Sequence, residues 1–141
     1  MNRIILSLLL ITITLGCNKV KRIEKKLSGN WNVIAYTFQN QNGLSYKYTS
    51  SGTFSFSSCE TEYCNYSLQL SYNVDGIDVQ ENSSGTYTVL EDAEHFDLLK
   101  VDQTNNISLI PGRILHINNS QLETEFRDET GNHYLVLEKS N

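Results

Sequence analysis

The chain is poor in basic charge, proline and histidine, and each shortage removes a class of function. It carries 11 basic side chains against 16 acidic ones, so the basic footprint that phosphate recognition needs is missing and nucleic acid is not an expected partner. The single proline, Pro111, cannot donate to a β-ladder and is expected to mark a corner or a sheet edge. No internal repeat or long low-complexity linker divides the sequence. The three histidines, His95, His116 and His133, fall in separate strand-like runs, and no serine stands in a nucleophile elbow. Catalysis is therefore not expected unless the fold carries a histidine to a carboxylate in a cleft. His116 alternates with Leu115 and Ile117, which are expected to face inward, so His116 is expected to face solvent. No cofactor or metal is expected.

What is present begins with a leader. Arg3 precedes an apolar run from Ile4 to Leu15 that ends in Thr14-Leu15-Gly16-Cys17, too short for a spanning helix and suited to a secretory signal. The segment resembles a bacterial lipobox: Gly16 gives the peptidase room, and the Cys17 thiol takes the lipid, palmitate among its acyl chains. The plainer alternative is a secreted protein with a free cysteine near its start. The resemblance implies a leader over 1–16, a lipidated basic stem over 17–28 and one folded domain over 29–141. It places the protein in a bacterial cell envelope, in the outer membrane, with its domain facing the periplasm.

Charge is divided between these parts. After Cys17 the stem carries Lys19, Lys21, Arg22, Lys25 and Lys26 against Glu24, whereas from Leu27 onward 5 basic side chains face 15 acidic ones. A basic stem can rest on anionic headgroups, at about 1 kcal/mol per charge near the surface. The acidic body would stand away from them. With Cys17 lipidated, Cys59 and Cys64 remain as a pair suited to a structural disulfide across a reversing loop. A metal reading of that pair needs further ligands nearby, and a redox-active pair usually has a two-residue spacing.

The spacing of Val20, Ile23 and Leu27 predicts a short helix over Lys19–Leu27, stopped by Ser28-Gly29. Strands follow. Runs over 30–39, 44–48, 52–58, 65–74, 85–90, 95–101, 106–110, 113–118, 121–127 and 133–138 are rich in Tyr, Thr, Phe, Val and Ile, and merge into eight to ten strands. Phe54 and Phe56 alternate with serine; Tyr66, Leu68, Leu70 and Tyr72 alternate with Ser67, Gln69 and Ser71, so these strands have one buried face. Asn42-Gly43, Asp75-Gly76 and Gly131-Asn132 supply tight reversals, which make neighbours antiparallel. The first run is apolar on both faces, as a strand that bends between two parts of a barrel would be. Asn73, Asp75, Asp78 and Glu81 gather oxygen ligands near Gly76, but the alternating acids of a calcium loop are missing and a plain hairpin is preferred. Glu91-Asp92-Ala93-Glu94 reads as a solvated connection.

The segment Leu27-Ser28-Gly29-Asn30-Trp31 resembles the opening of lipocalin-like proteins, a short helix followed by Gly-x-Trp at the first strand. The run Leu122 to Asp128 followed by Leu135 to Lys139 resembles the last hairpin of small bacterial lipocalin-like lipoproteins. No counterpart of the Thr-Asp-Tyr segment of classical lipocalins is found. The resemblance implies an all-β, antiparallel, up-and-down barrel of about eight strands with a short N-terminal helix. In it Gly29 permits a tight entry, Trp31 plugs the closed end and Arg127 matches the arginine that packs over that tryptophan. Phe54, Phe56, Tyr66, Leu68, Leu70, Tyr72 and Tyr87 would line the interior. Two functions stay open: a pocket for a small hydrophobic or amphipathic ligand, or a barrel filled by its own side chains that serves as a scaffold for a protein partner.

Overall fold

The computed structural model describes residues 19–59, 64–101 and 106–140. Cys17 and the leader lie outside them. A short helix, α1 (19–27), precedes nine strands. These are β1 (Gly29–Asn40), β2 (Ser45–Tyr48), β3 (Ser50–Phe56), β4 (Cys64–Val74), β5 (Ile77–Val89), β6 (His95–Val101), β7 (Ile107–Ile117), β8 (Gln121–Arg127) and β9 (Gly131–Lys139).

Every strand is antiparallel to its neighbour in a meander, and β1 pairs with β9 to close the barrel. The barrel has eight positions around its wall, because β2 and β3 follow one another along the same side of β1. Tyr36 lies opposite Tyr48 of β2, and Trp31 opposite Phe54 of β3. β1 is thus the bending strand its two apolar faces predict, and a register shift between Val33 and Ala35 bends it against β9.

Three sequence expectations change. β5 begins at Ile77, not near Gly85, and pairs with β4 from Val74↔Ile77 to Cys64↔Tyr87. Its first half is polar because it is mostly exposed, so alternation is lost while backbone pairing persists. The turn between them is Asp75-Gly76, with φ of 52° and 86°, the paired left-handed values of a tight hairpin. The runs on either side of Pro111 form one strand, β7. Pro111 pairs with Asp97 of β6 but has no partner in β8, where pairing begins at Gly112, so it sits on a local edge as its missing N–H requires. Leu115 is 44% exposed, not inward, since a register shift between Ile114 and His116 leaves it as the extra residue of a bulge. His116 does face solvent, as expected, within 3.1 Å of the Asn118 amide.

Val20, Ile23 and Leu27 lay α1 across one end of the barrel, with Leu27 fully buried. The Trp31 indole N–H donates to the Leu27 carbonyl at 2.7 Å, which satisfies both a buried donor and a helix-terminal acceptor. Lys139, at the end of β9, donates to the carbonyls of Lys26 (3.0 Å) and Ser28 (2.8 Å) and holds its ammonium 4.7 Å from the Trp31 ring centroid. This is the place the resemblance gave to Arg127. Arg127 instead pairs with Asn132, which faces Gln39 at the other end of β1 from Trp31, and is exposed.

Candidate functional site

The interior is occupied by side chains. Trp31, Phe54, Leu122 and Leu137 are fully buried; Phe56, Tyr66, Leu68, Leu70 and Tyr87 are buried with them, and Tyr72 is half-buried. The predicted lining residues thus do face inward, and they meet each other. Phe54 stacks on Phe56 at 4.3 Å between centroids, Tyr66 approaches Phe54 at 6.1 Å and Tyr87 meets Phe56 edge-on at 5.1 Å. Hydroxyls find partners within this packing: Tyr66 with Ser83 Oγ at 2.9 Å, and Tyr87 donating to the Ser57 carbonyl at 2.9 Å. The depressions beside α1, beside His95 and along β4 and β5 open outward, and none of them is lined by Phe54, Phe56, Tyr66, Tyr72 or Tyr87.

The end away from α1 is different. Tyr36, Tyr48 and Tyr72 converge there, with ring centroids 5.0 to 5.6 Å apart, and the exposed Tyr46 stacks on Tyr48 at 6.4 Å. The Tyr72 hydroxyl donates to Glu81 at 2.5 Å. Beneath them lies His133, which the sequence did not single out as part of a site. Its Nδ1 is 2.9 Å from the Tyr36 hydroxyl and its Nε2 is 3.1 Å from Asp128 Oδ2. With Nε2–H donating to the carboxylate, Tyr36 donates to Nδ1. Burial works to raise the Asp128 carboxyl, but hydrogen bonds from Thr130 and His133 outweigh it and hold that carboxyl below its ordinary value. Burial, then the nearby Glu81 charge, pushes the Tyr36 phenol well above its ordinary range.

A carboxylate–imidazole–phenol chain can hold a proton. His133, however, is 5% exposed, stacked on Phe126 at 5.0 Å and covered by Tyr36 and Phe38. It has a carboxylate but no cleft. His95 also reaches a carboxylate, with Nδ1 2.6 Å from Asp92 Oδ2. There Asp92 organises the β5–β6 turn by accepting the N–H groups of Glu94 and His95, which hold its carboxyl down at about 2 together with the His95 ring.

The disulfide between Cys59 and Cys64 is formed, with Cα atoms 4.9 Å apart, and ties the end of β3 to the start of β4. Cys64 is buried and Cys59 is half-buried. Glu24 of α1 brings a carboxylate oxygen within 4.8 Å of both sulfurs.

Outside the barrel, β6 and β7 carry an apolar face. Leu99 lies opposite Leu109 and Val101 opposite Ile107, and these four are 36%, 59%, 50% and 70% exposed. No helix among the described residues is long and apolar enough to cross a membrane.

No protein-family model and no curated protein matches the chain. Among solved structures it is similar to a redesigned β-barrel, at 16% identity and a TM-score of 0.49, over 85% of this chain and 96% of that one.

Proposed function

We propose that this chain is a lipoprotein of a bacterial cell envelope, tethered through acylated Cys17 in the outer membrane and facing the periplasm. Its barrel serves as a non-enzymatic interaction module for a protein partner. The observation that carries the reading is the paired apolar face of Leu99, Val101, Ile107 and Leu109, which stays open while the barrel interior is filled. Lys19 reaches the Asp92 carbonyl and Glu94 at the β5–β6 turn, and β6 runs away from that turn. A tether just before Lys19 would therefore hold the far ends of β6 and β7 away from the membrane. The body is acidic, so the partner it fits presents an apolar patch ringed by basic side chains.

A photo-crosslinking residue at Ile107, compared in cells with one at Ile34 on the opposite part of the wall, tests the surface. The expected result is one discrete adduct at position 107 that Leu109→Glu abolishes. Equal adducts at both positions, or none, reject it. The anchor is tested separately: Cys17→Ser should leave the chain unacylated and outside the membrane fraction.

A second reading, favoured by Tyr46, Tyr48 and Tyr72 at the barrel mouth, is a small amphipathic ligand held there. Ser50, the Cα partner of Tyr72, keeps a buried hydroxyl without a hydrogen-bond partner, which a ligand could satisfy. Titration with a hydrophobic fluorescent probe should then saturate and lose its signal in Tyr48→Ala. A linear, unsaturated response rejects this reading.

A further inference from the structure

We infer that Glu24, Cys59 and Cys64 form a site for a thiophilic divalent cation such as Zn²⁺ or Cd²⁺, open when the disulfide is reduced and closed when it forms. The argument rests on what α1 adds to the cysteine pair. In sequence the two cysteines have no further soft ligand close by; in the fold, Leu27 and Ile23 seat α1 on the barrel end and turn Glu24 onto the sulfurs. One ligand atom from each of the three residues lies within 4.8 Å of the others. Two thiolates and a carboxylate make a borderline-soft donor set that suits zinc or cadmium better than calcium or magnesium.

The surroundings are those of a reachable, incomplete coordination sphere. A depression of about 360 Å³, lined by Lys21, Glu24, Lys25, Ser28, Ser58 and Cys59, opens onto Cys59 and leaves room for water as a fourth ligand. Two thiolates and Glu24 around a divalent ion carry one net negative charge, and the ammonium groups of Lys21 and Lys25 at the wall offset it. The Tyr87 hydroxyl, 3.1 Å from Cys59 Sγ, already donates to Ser57 and leaves its oxygen free to accept from a protonated sulfur.

The chemistry balances with a dithiol reductant. The Cys59–Cys64 S–S bond breaks as it takes two electrons and two protons from the dithiol, which leaves as its own disulfide. The cation then replaces the two thiol protons, and these pass to solvent. In the reduced, metal-bound state the two sulfurs stand about 3.8 Å apart, the separation that a tetrahedral ion with bonds of about 2.3 Å sets.

The test uses the full chain carrying Cys17→Ser, in which Cys59 and Cys64 are the only thiols. Cd²⁺ is titrated anaerobically into oxidised and reduced protein, followed by thiolate-to-metal absorption and equilibrium dialysis. One Cd²⁺ per reduced chain, none per oxidised chain, and binding weakened about 10-fold or more by Glu24→Gln support the site. Glu94→Gln, a carboxylate elsewhere near α1, should change nothing. Circular dichroism of each variant checks that the barrel persists. Absence of binding after reduction, or equal binding by Glu24→Gln, overturns the inference.

Discussion

Lys139 and Trp31 stand opposite each other where the last strand meets the first, the ammonium over the indole and two helix-end carbonyls in its reach. Burial lowers the Lys139 pKa from its ordinary value. The hydrogen bonds it donates offset that cost by satisfying acceptors at the end of α1. Lys139→Met keeps the aliphatic stem and removes the donors. It should cost about 1–3 kcal/mol in urea unfolding, with faster hydrogen exchange over 20–27. Lys139→Arg should retain most of the stability.

Gly112 of β7 pairs directly with Phe96 of the neighbouring strand β6, and the Phe96 ring lies over it on the inner face of the wall. A Cβ at Gly112 would lie 2.4 Å from Phe96 Cζ, and the Phe96 ring is fully enclosed. Gly112→Ala should therefore destabilise the barrel by about 1–3 kcal/mol through overpacking. Adding Phe96→Leu should recover part of that loss in the same unfolding experiment, since it opens the space the methyl needs.

Alkaline pH should unfold the barrel through its tyrosines. Burial, then the Glu24 charge, pushes the Tyr87 phenol up to about 12, and burial followed by Glu81 raises Tyr36 and Tyr72. In the unfolded chain these groups ionise near pH 10. Because the folded values are the higher ones, the stability they contribute is whole below pH 10 and is lost as pH rises from there through 12. Denaturant midpoints measured from pH 9 to 12 should fall steadily, and Tyr87→Phe should make that fall shallower.

Removing the Cys59–Cys64 bridge should be tolerated. The loop it closes is short, so Cys59→Ser with Cys64→Ser should cost roughly 2–3 kcal/mol, read as a lower urea midpoint with an unchanged barrel spectrum.

The fold was legible where one face of a strand is wet and the other dry. Phe54, Phe56, Tyr66, Leu68 and Leu70 announce their buried side by alternation, and Asp75-Gly76 announces its turn by composition. The first half of β5 was illegible for the converse reason: mostly exposed, it shows no period, and only its pairing with β4 makes it a strand. Lys139 was missed because its role depends on meeting α1 across the barrel seam, a contact no local pattern encodes. The approach of Glu24 to the disulfide likewise exists only once α1 docks on the barrel end, and that of His133 to Tyr36 only once β9 meets β1. Arg127 matched by residue type and failed by position: it lies at the other end of β1 from Trp31, and Lys139 of β9 stands over the indole instead.

The seam between β1 and β9 sets the order in which this protein can be built. Each remaining wall contact joins strands adjacent in the chain or nearly so and can form as the polypeptide emerges, but the seam waits for β9. Until then the sheet is an unrolled ribbon with raw hydrogen-bonding margins at both ends. The wall should consequently reach its full rigidity in a single late step, when β9 docks on β1, rather than strand by strand.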